Sequence, residues 1–211
     1  PLVNQYGLGD RDNNVMVGAQ VAWRSSNGIG IQAELALDDF IQREREAFPD
    51  RWAMTLRANG PGPAGTSWRA WYTRASALAF RATDPMDSFS ERGIGLGRGW
   101  ADGDRIAVRL ARPVGGAWLA AIELTGFRLG ESRLDQPIDL PSALEKFPTG
   151  MIERTLRAAA SISGRSGPVE IVADIGVNNI ANQHHQRGVN ATNVEARVAT
   201  LLRLGTRGPL R

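Results

Sequence analysis

Val15-Met16-Val17-Gly18-Ala19-Gln20-Val21-Ala22-Trp23-Arg24, then Ser25-Ser26-Asn27-Gly28, then Ile29-Gly30-Ile31-Gln32-Ala33-Glu34-Leu35-Ala36-Leu37-Asp38, is the stretch whose reading decides the fold. In its first ten residues every odd position is apolar and the even ones are mostly small or polar. The last ten repeat the pattern, with Ile29, Ile31, Ala33, Leu35 and Leu37 set against Gln32, Glu34 and Asp38. Successive side chains of a strand project to opposite faces, so a period of two marks a pair of half-apolar strands. The Asn-Gly step between them is a tight-turn sequence, which joins the pair as a hairpin.

The same alternation continues outward from this hairpin and predicts strands at 51–59, 67–81, 104–112, 117–129, 152–163, 168–179 and 192–204. Val169, Ile171, Ala173, Ile175 and Val177 oppose Glu170, Asp174 and Asn178; Val194, Ala196, Val198, Leu202 and Leu204 oppose Glu195, Arg197 and Arg203. In 67–81 aromatic residues fall on both faces. The connections alternate in length. Residues 25–28, 60–66, 113–116 and 164–167 are short and rich in Gly, Pro, Ser or Asn, whereas 41–50, 82–103, 130–151 and 180–191 are longer. No helix of ordinary length is needed, although Pro141 to Lys146 is compatible with a single turn.

Short turns at one end and long loops at the other are the connectivity of an up-and-down transmembrane β-barrel. Alternation does not itself decide which face is wet, since a soluble sandwich or lipocalin-like barrel turns its apolar face inward. Three features favour the membrane. The runs approach the roughly 9–11 residues of a tilted bilayer-crossing strand, against about 5–6 for an ordinary strand. Trp23, Trp52, Trp68 and Trp118 lie near strand ends, as interfacial girdles require. The polar face mixes Glu, Asp and Arg with Gly, Ala, Ser and Thr, which suits a crowded, charge-paired lumen.

Composition is compatible with this reading. The mean hydropathy of −0.26 resembles that of a soluble domain, but a barrel alternates lipid-facing with lumen-facing residues and averages to the same value. No stretch approaches the roughly 18 consecutive apolar residues of a spanning helix. Of 25 basic residues only Lys146 is lysine, which supplies planar donors suited to carboxylates, phosphates and sugar acids. Basic and acidic residues are interspersed rather than gathered in a patch, so nucleic acid is not an expected partner. With no cysteine and two histidines, neither a disulfide nor a metal centre is expected, and no cofactor is implied. A predicted count of nine strands is odd for a single-chain barrel. The tail Gly205-Thr206-Arg207-Gly208-Pro209-Leu210-Arg211 does not end on a strand with a terminal aromatic residue. Residues 1–211 are therefore expected to form a single β-barrel region, the C-terminal part of a longer barrel.

Four stretches resemble the Wzi-type capsule-assembly family of outer-membrane barrels. Ala33-Glu34-Leu35-Ala36-Leu37-Asp38-Asp39-Phe40 is similar to a strand ending in an acidic step, and Arg69-Ala70-Trp71-Tyr72-Thr73-Arg74 to that family's Tyr-Thr-Arg strand. Arg92-Gly93-Ile94-Gly95-Leu96-Gly97, followed by Asp102 to Ile106, looks like its glycine-rich loop leading into a strand. The fourth is Gly150-Met151-Ile152-Glu153-Arg154 together with Asn182 to Gly188. The resemblance implies a non-catalytic role in capsule or exopolysaccharide assembly at the bacterial cell outer membrane. The implied partners are a surface polysaccharide and outer-membrane lipid, and nothing indicates an oligomeric state. A porin or transport barrel, and a secreted soluble carbohydrate-binding β-protein, remain the alternatives.

The candidate glycan-binding residues are Asp38, Asp39, Tyr72, Arg74, Asn182, His184 and His185. Asp38 and Asp39 suit sugar hydroxyls or a cation, or simply pair with Arg43 or Arg45 at a solvated strand end. A glycosidase needs two carboxylates about 5–10 Å apart across a cleft, and no such pairing is visible. Adjacent histidines on an extended chain point apart, which argues against joint metal ligation and leaves His184 and His185 as saccharide hydrogen-bonders or plain loop residues. No serine adjoins them, as a Ser-His-Asn phospholipase array would require. Gly93 to Gly99 lacks the following helix of a nucleotide fingerprint. Arg57, Arg105, Arg109, Arg157, Arg197 and Arg203 interleave with Glu34, Glu123, Glu170, Asp174 and Glu195. They form either a structural ladder of cross-strand pairs or a basic surface that attracts acidic polysaccharide. No catalytic residue is assigned.

Overall fold

The computed structural model describes residues 16–38, 51–79, 90–91, 94–95, 100–133 and 147–202. These form an all-β protein. Strands β1 (Met16–Arg24), β2 (Gly30–Asp38), β3 (Trp52–Pro61), β4 (Ser67–Ala75), β7 (Gly103–Pro113), β8 (Trp118–Leu129), β9 (Glu153–Ser166), β10 (Val169–Ala181) and β11 (Ala191–Leu202) make one nine-stranded sheet. Every strand pairs antiparallel with its sequence neighbours in that sheet, so the topology is a pure meander. Two short strands, β5 (Ser90–Glu91) and β6 (Ile94–Gly95), pair with each other inside the β4–β7 connection. Among the described residues β1 and β11 are edges that do not pair, so the sheet is open.

Turn chemistry sets the register. Gly28 adopts φ +79°, which Asn-Gly accommodates, and the Ser25 amide donates to the Ile29 carbonyl at 2.8 Å to close the first hairpin. The β1–β2, β3–β4, β7–β8 and β9–β10 connections are short, and the other four are long. In a meander this gathers all long connections at one end of the sheet, as the alternation predicts. Two strand limits differ from expectation. The run at 67–81 ends at Ala75, because the apolar residues Ala77, Leu78 and Ala79 leave the sheet as a buried turn. Residues 164–166, expected in a turn, extend β9, leaving only Gly167 and Pro168 between strands. Gly164 is required there: a Cβ on it would collide with the Trp118 indole, its cross-strand partner. The Pro141–Lys146 turn and the 41–50 loop lie outside the described residues.

Register places the apolar sets of all nine strands on one face. Val21 faces Ala33, Ala33 faces Leu56, and Leu56 faces Tyr72; two residues along on the same face, Ala70, Val108, Leu124, Ala158, Val177 and Val194 form the neighbouring row. Val21, Leu56, Val108, Leu124, Val177 and Val194 are exposed. The polar face is the enclosed one, with Thr55, Thr73, Ala107, Ala121, Thr125 and Asn178 buried. What serves as a hydrophobic core is small, namely Ala53, Ala75 and Ala79 with Trp100 packed against them. A soluble domain buries its Leu, Ile and Val; here those side chains form the exposed surface. Trp23, Trp68 and Trp118 stand at the turn end of the apolar face and Trp52 at the loop end, so all four tryptophans singled out above share it.

The arginine ladder exists on the enclosed face. Arg57 pairs with Glu34 at 3.8 Å, and Glu123 sits between Arg105 (3.8 Å) and Arg109 (3.7 Å). Asp174 takes Arg157 at 3.5 Å and Arg197 at 2.9 Å. Arg109 on β7 donates to Ser161 on β9 at 3.1 Å, reaching past the intervening strand. Arg203 lies outside the described residues. The Glu123 side chain is 16% exposed between two partly exposed guanidiniums, intermediate between a solvated and a buried pair. Glu123→Gln is accordingly expected to lower the unfolding free energy by about 1–2 kcal/mol, and by less in high salt. Denaturant titration at two ionic strengths checks this; a loss below ~0.5 kcal/mol at low salt would mark the ladder as energetically idle.

Candidate functional site

Three adjacent strands build a cavity of about 360 Å³ on the polar face. Thr55 and Arg57 come from β3, Arg69, Trp71 and Thr73 from β4, and Arg105 from β7, with Trp100 reaching in from the connection before β7. Register fixes the arrangement: Arg57 opposes Trp71, Thr55 opposes Thr73, and Thr73 opposes Arg105. Trp100 is held edge-on against Phe127, with ring centroids 5.1 Å apart and planes at 62°. The pocket therefore presents three guanidiniums and two indoles. Arg57 and Arg105 are each offset by one glutamate at 3.8 Å, whereas Arg69 makes no ion pair among the described residues. Arg105 Nε is buried with no acceptor, an open donor in a place where buried donors are normally satisfied. Guanidinium forks match carboxylates and other planar anions, and indoles offer flat apolar faces. The cavity suits a ligand with an acidic group and a ring face, such as a sugar acid.

The residues singled out by sequence sit elsewhere, at the long-connection end. Tyr72 and Arg74 lie on the apolar face. The Tyr72 hydroxyl donates to Asp104 Oδ2 at 3.1 Å, and Arg74 is clamped between the rings of Phe147 (3.7 Å) and Trp52 (5.1 Å). Asn182 has φ +55° and its amide donates to the Ile152 carbonyl at 3.1 Å. His184 and His185 are not extended, as their adjacency was read to imply, but left-handed, with φ +55° and +59° in a short 3-10 turn. That turn is tied down: the His184 amide donates to Glu153 Oε2 at 2.7 Å, and His185 Nδ1 lies 2.7 Å from the Met151 carbonyl. These contacts join Asn182, His184 and His185 to the start of β9, while Tyr72 and Arg74 belong to a separate group. Asp38 ends β2, and Asp39 lies outside the described residues.

No family model, curated protein or solved structure matches the chain. The arrangement of its own residues carries the functional reading. Arg57 and Arg105 were visible to sequence reasoning as polar-face arginines. Arg69, Trp71 and Trp100 were not, because aromatic residues on both parities of β4 hide which face Trp71 takes, and Trp100 arrives from a long connection.

A second focus sequence reasoning missed is Asp102, fully buried at φ +55°. Its carboxylate accepts the Thr149 amide (3.0 Å), the Ser132 amide (3.1 Å) and the Thr149 hydroxyl. Its backbone accepts from Gly130 at 2.7 Å and donates to Ser76 at 3.2 Å. Its side chain thus ties together the two ends of the β8–β9 connection, and its backbone amide ties that group to the segment after β4.

Proposed function

We propose that the sheet is wall from an outer-membrane β-barrel whose enclosed polar face holds an acidic surface polysaccharide, without catalysis, in capsule or exopolysaccharide assembly. One observation carries this reading: the nine strands expose their large apolar side chains on one face and bury small and polar ones such as Thr55, Thr73, Thr125 and Asn178 on the other, the inverse of a soluble fold. Long exposed apolar faces of this kind mark a lipid or protein contact. The flanking tryptophans at both ends of the face support lipid. The likeness of the four sequence stretches to the Wzi-type family supports the capsule role, and the Arg57–Arg69–Arg105 pocket with its two indoles supports an acidic sugar as the ligand.

Two measurements test it. The protein is expected in the outer-membrane fraction with heat-modifiable migration; recovery as a detergent-free soluble protein overturns the barrel. A uronate-bearing oligosaccharide is expected to bind in a salt-dependent manner, and a neutral one much more weakly. Arg69→Gln, at a pocket arginine that makes no ion pair among the described residues, is expected to weaken that binding about tenfold, the worth of one charge-assisted contact. Equal binding of neutral and acidic oligosaccharides would overturn the ligand assignment. Ion conductance through reconstituted protein without saccharide binding would favour a porin instead.

A further inference from the structure

Charge on the apolar face is confined to strand ends. In the described strands Arg74, Asp104, Arg128 and Arg154 lie at the long-connection end of that face, Arg112 lies at the turn end, and no charged residue stands between. On β7 the apolar run Ile106, Val108, Leu110 separates Asp104 from Arg112, a span of ~26 Å along the strand at ~3.3 Å per residue. Tilted by about 40°, that is ~20 Å of height, close to the ~25 Å lipid-facing band of a barrel. The basic group therefore sits at the border of the band.

Its internal geometry is unbalanced. Arg128 on β8 stands directly opposite Arg154 on β9, and like charges in that position repel. Asp104 does not relieve both: it is engaged by a fork from Arg128, with Nε to Oδ1 at 2.8 Å and a second contact from Nη2, and by the Tyr72 hydroxyl. Arg154 is exposed and makes no hydrogen bond or ion pair among the described residues. Of the three guanidiniums at this end, Arg128 alone pairs with a carboxylate among the described residues. Beneath them a groove of about 560 Å³ runs onto the apolar face. Its floor is Gly126, flanked in register by Ile106 and Leu156, so the missing side chain leaves a notch between two large apolar ones.

From this juxtaposition we infer that Arg128 and Arg154 bridge the phosphate of an outer-leaflet lipid headgroup, with an acyl chain lying in the notch over Gly126. A phosphate accepts from both guanidiniums at once and cancels the repulsion between them. A neutral sugar leaves that repulsion in place. A free anion matches the head of the site but makes no use of the apolar groove below it. The inference rests on the membrane reading above and adds a lipid site on the face opposite the saccharide pocket.

The test uses full-length protein refolded into phosphatidylcholine vesicles, with insertion scored first by heat-modifiable migration. Native mass spectrometry in detergent then compares retention of bisphosphorylated lipid A, its dephosphorylated form and inorganic phosphate. Phosphorylated lipid A is expected to be retained about tenfold better than the dephosphorylated lipid, with inorganic phosphate a weak competitor. Arg154→Gln breaks no ion pair among the described residues, its insertion is scored first like that of the parent, and it is expected to cost most of that preference; Arg112→Gln at the other end is expected to cost none. Equal retention of the two lipids, or an unchanged Arg154→Gln, overturns the site. Inorganic phosphate binding as well as the lipid overturns the lipid assignment. Failure to insert overturns the membrane reading itself, and this site with it.

Discussion

Leu124→Arg is expected to destabilise the membrane-inserted protein by about 2–4 kcal/mol, the depth-dependent cost of a guanidinium on the lipid side of a barrel near the bilayer midplane. Leu124 lies in the middle of β8 and is 61% exposed. If water bathed that face, a substitution at so open a position would change stability by no more than ~0.5 kcal/mol. A second protein layer over the face would also penalise the arginine, but without regard to depth. Leu110→Arg separates these cases. Leu110 is 46% exposed and lies one step nearer the border, beside Arg112 on the same face, so a bilayer predicts a smaller loss there than at 124. Reversible urea titrations in vesicles measure both variants. A large loss at 124 with a small one at 110 supports lipid; equal losses support a protein cover; no loss at either supports water.

The sheet was legible because its signal is local and repeated. Alternation in 15–24 and 29–38, with Asn27-Gly28 between, sets a hairpin without knowledge of anything distant, and the same holds at each short turn. Misreadings came where one residue type serves two purposes. Ala77, Leu78 and Ala79 look like continued strand, yet they bury as a turn against the end of the sheet. Gly164 looks like a turn, yet it is a strand glycine that makes room for Trp118. In each case the deciding contact is with a residue far along the chain.

The sites were less legible for a related reason. Periodicity assigns a residue to a face, but a site also needs the order and offset of neighbouring strands. The opposition of Arg128 to Arg154 depends on how β8 and β9 pair across a long connection, which no local pattern sets. The pocket around Arg69 draws on three strands and on Trp100 from outside them. Tyr72 and Arg74 were drawn from the β4 sequence without their face; register puts them on the apolar side, whereas Trp71 and Thr73, which alternate with them in sequence, enter the polar-face pocket.

Asp102→Ala is expected to have the largest effect of any single substitution at the loop end, about 4 kcal/mol. The carboxylate is wholly buried and accepts two backbone amides and one hydroxyl, and each buried donor left without an acceptor costs roughly 1–3 kcal/mol. Alanine is also a poorer occupant of a left-handed backbone than aspartate, which adds to the loss. Space offers no remedy: Gly130 is already bare because the carboxylate fills the place of its side chain. Asp102→Asn retains one acceptor oxygen and the backbone preference, and is expected to lose about half as much. Because the carboxylate joins connections rather than strands, the damage should begin locally. Amide exchange at Ser132 and Thr149 is expected to accelerate well before exchange in β7 to β10. Unchanged exchange at those two amides, or a loss under ~1 kcal/mol in Asp102→Ala, would mean that the connections are held by other contacts.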